Sequence, residues 1–520
     1  MMLNPTIKLI LTTIFAIVCF TKGSCQTETD SLITKNYNSN EVLKGSIFDA
    51  NDKSSLPYAN IILLSKNKGV ISNEVGHFSI NISNCLETDT LRISYIGYQT
   101  QDITIKDLKD SSVIHLKEDN LMLNNITLFG NVLDPESIVK KVLENKNNNY
   151  GETNSKKQIF LRNRYTNHMN KLNFRCKKSN FSNLDKELIE VLEKEIPKHT
   201  ISYRDFLGDV YLFKKEDSAA LKINPIKIIE LEEKSDLTKL GELEKTFKEV
   251  FNNINENEYW KIKSGIIGGK VHVDENSVSV GGGETEKTDS LTTNNPKDPF
   301  RSEKWRITNL ARFASFKDEK KWDFLYNTNK YQYELSGVTV ANGEEVYIID
   351  FQPGKKGKFI GRMYIAMETF ALVRIDYKYD TGKTGIDMQL FGIGYSENKF
   401  NASMYFEKKE DQYQLKYCSK TESSNFSFNR NIVLQKKRER FLFDKKLKEI
   451  EIGVNLIGNN ESSIEMLILE EGPIDQNQFN DFKEKGSVDI IYVEQFNEDL
   501  WKGYSIIEPT KQMKEYKKIN

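Results

Sequence analysis

The chain has 520 residues, of which 29% are charged and 38% belong to the hydrophobic set, with 23 Tyr and 29 Phe. That composition excludes a disordered chain and points to about two to four folded domains with a bias toward β structure. Lys and Arg number 74 against 75 Asp and Glu, so no global field recruits nucleic acid.

Residues 1–25 have the layout of a signal peptide. Lys8 supplies the positive start, Leu9 to Phe20 is apolar apart from Thr12 and Thr13, and Gly23 and Ser24 precede Cys25 and Gln26. The apolar run is shorter than the roughly 20 residues that span a bilayer, and no later stretch approaches that length. The expectation is an exported envelope protein of a Gram-negative bacterium, periplasmic or associated with the outer membrane. No transmembrane helix is expected in the mature chain. Lys22 stands where a lipoprotein signal carries an aliphatic residue, so plain cleavage beside Gln26 is favoured over lipid on Cys25. Cys85, Cys176 and Cys418 then remain, an odd and scattered set with no C-x-x-C pair. They form neither a disulfide framework nor a zinc or redox motif.

Residues 27–41 are a polar leader. From Leu43 the text becomes short strands between turns: Gly45 to Asp49, Ala59 to Leu64 behind Pro57, and Val70-Ile71 before the turn Ser72-Asn73-Glu74-Val75-Gly76. Phe78, Ile80 and Ile82 alternate, as do Leu91, Ile93 and Tyr95, and further strands lie at Ile103-x-Ile105 and Val113 to Leu116. About seven short strands at this spacing predict a seven-stranded antiparallel β-sandwich.

The same residues carry a family resemblance. Gly45-x-Ile47-x-Asp49, Leu56-Pro57-x-Ala59-Asn60, Ile71-Ser72-Asn73-Glu74-x-Gly76-x-Phe78-x-Ile80, Leu91-x-Ile93-Ser94-Tyr95-Ile96-Gly97-Tyr98 and Leu121-x-Leu123-x-x-Ile126 follow in order. The stretch 43–129 resembles the carboxypeptidase-regulatory-like domain, a transthyretin-like sandwich common in Bacteroidetes-type envelope proteins. There it often precedes outer-membrane receptors that import nutrients. The resemblance implies binding or scaffolding outside the cytoplasm, and no catalysis.

Asp134-Pro135-Glu136 reads as a helix start, with Ile138, Val139, Val142 and Leu143 on one face. Helical spacing returns over Leu184 to Ile196 and over Leu237 to Ile254. These stripes are core-facing by their pattern. Residues 134–280 are thus a helix-containing middle region, and 281–303, with Gly281-Gly282-Gly283, Pro296 and Pro299, a flexible loop. Beyond it, 304–520 reads as a larger antiparallel β domain, a curved sheet with helices against it. Its strands are placed at Tyr347 to Phe351, Gly361 to Tyr379, Met388 to Ile393, Ala402 to Phe406, Tyr413 to Tyr417, Asn431 to Leu434 and Ile450 to Leu456. The fold class is mainly β with an α+β middle. A receptor barrel is rejected, because too little length follows the middle region and the chain ends Tyr516-Lys517-Lys518-Ile519-Asn520.

No catalytic, cofactor-binding or metal-binding residues are assigned. His272-Val273-Asp274-Glu275 offers half of a zinc peptidase set, but no His follows it to complete three ligands. The other His residues, His77, His115, His168 and His199, adjoin no nucleophile motif. Gly265-Ile266-Ile267-Gly268-Gly269-Lys270 lacks the spacing of a phosphate loop and reads as a hairpin turn. Lys436-Lys437-Arg438-Glu439-Arg440, before Phe441 and Phe443, reads as a solvated strand rather than a contact for an anionic surface. Trp305, Trp322 and Trp501 read as core or rim residues rather than a sugar platform.

Two functions fit. The first is a non-enzymatic envelope component that binds a partner protein through its sandwich. The alternative is a periplasmic carrier of lipid or another apolar ligand in the C-terminal β domain, because Phe359 to Tyr377 resembles the hairpins of lipoprotein-carrier half-barrels. That reading asks for a cavity beside the sheet.

Overall fold

The computed structural model describes residues 41–516, apart from 67, 111, 120–133, 152–153, 183, 216–217, 233–256, 266, 275–276 and 281–297. The signal peptide, the closing motif at Leu121 to Ile126, the helix expected over Leu237 to Ile254 and the glycine-rich part of the 281–303 loop lie outside the described residues.

Seven strands build the N-terminal module: β1 (Val42–Asp49), β2 (Asn60–Leu63), β3 (Lys68–Ile71), β4 (His77–Asn81), β5 (Thr90–Ser94), β6 (Gln101–Thr104) and β7 (Val113–Leu116). They form two sheets, β4-β1-β7 and β3-β2-β5-β6, with the pair β1-β7 running parallel. Alternate apolar residues meet between the sheets, with Ile47, Ile61, Phe78, Leu91 and Ile93 fully buried. Gly76 closes the turn before β4 at φ +80, and a Cβ there would stand 2.6 Å from the Ile47 carbonyl oxygen. Only glycine fits both demands.

The rest of the chain makes one sheet of 15 strands. In chain order these are β8 (Ser155–Ser179), β9 (His199–Lys215), β10 (Ser218–Glu232), β11 (Glu258–Ser264), β12 (Ile267–Asp274), β13 (Ser277–Val280), β14 (Tyr331–Ala341), β15 (Glu344–Pro353), β16 (Phe359–Ala366), β17 (Leu372–Tyr379), β18 (Asp387–Leu390), β19 (Ile393–Lys409), β20 (Gln412–Arg438), β21 (Lys445–Pro473) and β22 (Ile490–Val493). Their order across the sheet is β14-β15-β16-β17-β19-β20-β21-β8-β9-β10-β22, with β11-β12-β13 joined through β20 and β18 through β19. Pairing is antiparallel except between β10 and β22. Strands β8, β20 and β21 run 25, 27 and 29 residues, far beyond the short segments expected from sequence. Polar stretches in mid-strand, Thr421 to Asn425 and Asn459 to Ser463, interrupt the alternation that marks a half-buried strand.

Four helices matter for packing: α1 (Pro135–Glu144), α2 (Lys186–Glu195), α3 (Arg301–Ala314) and α4 (Asp323–Tyr326). The Asp134 side chain caps α1, and Asp185 caps α2, by accepting from the backbone amides of Ser137 and Leu188. Helix α2 lies on β8 in a separate small core with Leu172, Trp260 and Phe428.

The two faces of the main sheet are covered differently. Tyr377 lies 6.0 Å from Trp322 and 4.9 Å from Phe324, ring centre to ring centre, on the side of α3 and α4. Arg374, three residues earlier and so on the opposite face, lies 5.6 Å from the Tyr95 ring of the module. The module seals that second face through Tyr58 stacked on Tyr417 at 5.4 Å and Ser94 Oγ bonded to Asn342 Oδ1 at 3.0 Å.

Candidate functional site

The C-terminal segment threads between module and sheet. Its Ser505 hydroxyl accepts from the Asn81 amide at 2.9 Å, and Ile506 bridges to Ser79 of β4. Asn73 Nδ2 reaches the Glu508 carbonyl at 3.3 Å, while Arg162 on β8 reaches the Ile507 carbonyl at 3.0 Å. Trp501 sits edge-on to Phe160 of β8 at 5.5 Å. These contacts fasten module, sheet and tail together.

Where the three diverge they leave a cavity of about 340 Å³. Lys66, Lys68, Asn81 and Ser83 form its module wall, Gln158, Leu207, Ile226 and Leu469 its sheet wall, and Gly503 to Ser505 its tail wall. The Ser83 hydroxyl lacks a hydrogen-bond partner among the described residues. Lys68 pairs with Glu470 at 3.0 Å, and both are half exposed at the rim.

Local irregularities build this site. In β10, Pro225 opposes Gly208 and Lys227 opposes Leu207, so Ile226 is an extra, unpaired residue. In β21, Ile468 opposes Ile159 and Glu470 opposes Gln158, which leaves Leu469 extra. In β20, Tyr417 opposes Tyr405 and Leu415 opposes Phe406, which leaves Lys416 extra. A β-bulge re-aims one side chain, and here the first two turn apolar residues into the cavity.

The third bulge buries a charge. Lys416 is buried beside the cavity and donates to the Gly69 carbonyl at 3.4 Å. Burial draws its pKa down from the usual 10.5 to about 8, against the favourable fields of Glu407 and Glu471. Nearby, burial raises the Glu465 carboxyl above its ordinary range although Arg162 lies 4.0 Å away and the Tyr417 hydroxyl donates to it at 3.2 Å.

The residues singled out from sequence do not assemble here. Trp305 is exposed on α3, Trp322 is in the helix-side core and Trp501 is buried in the tail. His272 pairs in register with Ser279 in the β12-β13 hairpin, and Gly265 at φ +63 opens the β11-β12 turn. Cys85, Cys176 and Cys418 are unbridged, and burial pushes the Cys418 thiol up to about 12. Among the described residues no three His, Cys, Asp or Glu side chains gather as a metal-holding group. Phe359 to Tyr377 does form a hairpin, β16-β17, but its helix-side face is filled by Trp322, Phe324 and Phe400, and the open volume lies on the module side. Pro225 inside a strand pattern was the one sequence signal for the cleft, since proline in a strand marks a bulge or an edge.

A family model for the CarboxypepD_reg-like domain matches residues 43–128. The module is a CarboxypepD_reg-like domain. This domain supplies the Lys66–Asn84 wall of the cleft and ends before α1. No curated protein matches the chain. Among solved structures, the chain is similar to a domain from Vibrio parahaemolyticus described as an outer membrane lipoprotein-sorting protein. That match has 10% identity, covers 67% of this chain and 97% of the other, and has a TM-score of 0.21. It is also similar to the MucA/MucB complex structure of Pseudomonas aeruginosa, with 7% identity over 62% of this chain and 93% of the other and a TM-score of 0.14. Among the described residues no helix is long and apolar enough to cross a membrane.

Proposed function

We propose that this protein is a non-enzymatic, exported carrier of the cell envelope that holds an apolar chain with an anionic end in the cleft between its CarboxypepD_reg-like domain and its large sheet. The observation that carries this reading is the cavity of about 340 Å³, in which bulged Ile226 and Leu469 offer apolar contact while Lys66 and Lys68 stand on the opposite wall. Such a volume suits part of a lipid or a similarly sized amphipathic molecule.

The competing reading, in which the CarboxypepD_reg-like domain recruits a partner protein, gains less support. One face of that domain is already committed to its own chain through Tyr58, Ser94 and Tyr95.

Native mass spectrometry of mature protein purified gently from envelope fractions tests the carrier reading. A lipid-sized non-covalent adduct is expected, and Ile226→Asp, at a position 39% exposed and so tolerant of change, is expected to lower its occupancy at least fivefold. An unadorned chain, or an adduct indifferent to Ile226→Asp and Lys68→Glu, would sink the cleft as the carrying site.

A further inference from the structure

The hairpin β20-β21 ends in a loop whose chemistry the cleft does not use. Arg438 opposes Lys445, leaving residues 439–444 as the loop, and within it Phe441, Leu442 and Phe443 are 102%, 79% and 86% exposed. Single exposed apolar residues are ordinary, but three consecutive large ones at a protruding tip mark a contact surface. From its pattern the basic run before them is expected to be a solvated strand. In the structure Lys436 to Arg438 do end β20, but the apolar residues after them leave the ladder altogether.

Residues 436–448 hold seven Lys or Arg and two carboxylates, Glu439 and Asp444. Lys436 and Arg438 pair with Glu258 and Lys446 with Glu449, which leaves Lys437, Arg440, Lys445 and Lys448 outside those pairs. Both loop acids are drawn sideways by the neighbouring hairpin: Lys270 Nζ bonds Glu439 at 2.6 Å, and the Tyr259 hydroxyl donates to Asp444. The Glu439 amide also donates to the Asn257 carbonyl at 2.8 Å, which fixes the base of the loop. Exposed Arg440 and Lys445 and half-buried Lys437 flank the three apolar residues along the chain with positive charge.

We infer that this tip docks on an anionic lipid bilayer, with Phe441, Leu442 and Phe443 entering the boundary between headgroups and acyl chains while Lys437, Arg440 and Lys445 meet lipid phosphates. The chemistry selects a bilayer over a protein. A stable protein interface needs about 1,000 Å² of complementary surface, which a three-residue tip does not offer. A bilayer accepts a small apolar wedge, and each cation near an anionic surface adds to binding independently. The tip lies along β20 about 80 Å of extended chain from Lys416, so docking leaves the cleft open. This inference stands whether or not the cleft carries a ligand.

The test is vesicle flotation of the mature chain, shown by mass to bear no covalent lipid. Flotation is expected with phosphatidylcholine vesicles containing 30% phosphatidylglycerol, weakening with salt and falling at least tenfold with phosphatidylcholine alone. A triple variant Phe441→Ser, Leu442→Ser, Phe443→Ser, with an unchanged circular dichroism spectrum and melting temperature, is expected to lose at least tenfold in binding. A bimane probe on a Leu442→Cys variant should shift to shorter wavelength on the anionic vesicles. Absence of flotation, flotation untouched by the triple variant, or a photo-crosslink from position 442 to an envelope protein without vesicle binding would each overturn the proposal.

Discussion

Arg162 on β8 and Asp205 on β9 stand directly opposite each other and share two hydrogen bonds, Nε to Oδ1 at 2.9 Å and Nη2 to Oδ2 at 2.7 Å. Both side chains are almost completely buried. The third donor used by Arg162, Nη1, holds the Ile507 carbonyl of the tail. One cation thus ties two strands of the sheet to the segment that walls the cleft. Planar geometry makes this a task for arginine rather than lysine.

Removing one member of that pair leaves the other charged and buried without its two-bond partner, with Glu465 at 4.0 Å the one acid left in ion-pair reach of Arg162 among the described residues. Asp205→Asn or Arg162→Met is expected to cost about 3–5 kcal/mol in urea unfolding, with the tail becoming susceptible to limited proteolysis. The double variant Arg162→Met, Asp205→Leu should recover most of the stability but leave the tail loosened. A single variant as stable as the parent would show that the pair contributes nothing to the body.

Lys416 predicts a pH dependence with the same sign as acid denaturation but in the alkaline range. Its folded pKa of about 8 lies below its ordinary 10.5, so between those values the unfolded chain keeps a proton that the folded chain has released. Stability therefore rises with pH across that window, by at most about 1.4 kcal/mol per pH unit from this group. Below about pH 8 both states carry the charge, and the folded state bears its burial in full. Lys416→Met is expected to flatten the rise and to stabilise the protein at neutral pH by on the order of 1 kcal/mol. Urea midpoints of parent and variant at several pH values between 7 and about 10 check both statements.

Trp322 separates the core from the site. It is fully buried, its indole N–H bonds the Phe313 carbonyl at 2.7 Å, and it touches Phe316, Phe324 and Tyr377 on the helix side of the sheet. Trp322→Ala is expected to cost about 3–5 kcal/mol in thermal or urea unfolding. The same variant, assayed below its transition, should keep any adduct bound on the module side. Loss of the adduct at full folding would place the ligand on the helix side instead.

Much of the architecture was legible from residue order because it rests on local rules. The alternation in Phe78, Ile80 and Ile82, the turn at Gly76 and the start signal Asp134-Pro135-Glu136 depend on neighbours within a few positions, and each appears in the structure where the pattern predicts it. Alternation of charge over residues 436–440 describes a solvated strand, which Lys436 to Arg438 form as the end of β20, but it does not say that three apolar residues follow outside the ladder.

Tertiary structure alone decided the rest. The expected strands at Tyr413 to Tyr417 and Asn431 to Leu434 fuse into one 27-residue strand because β19 pairs with Gln412 to Phe428 and β21 with Tyr417 to Arg438, a partner more than 30 positions away in places. The cleft joins Lys66, Ile226, Leu469 and Tyr504, whose proximity follows from strand order rather than from spacing in the chain. Its apolar residues face the cavity through bulges, and apart from the hint at Pro225 a bulge is a mismatch between two strands that shows only when they pair. Residue order determined which segments are strands and which turns. Only the assembled sheet determined which side chains escape the ladder and meet.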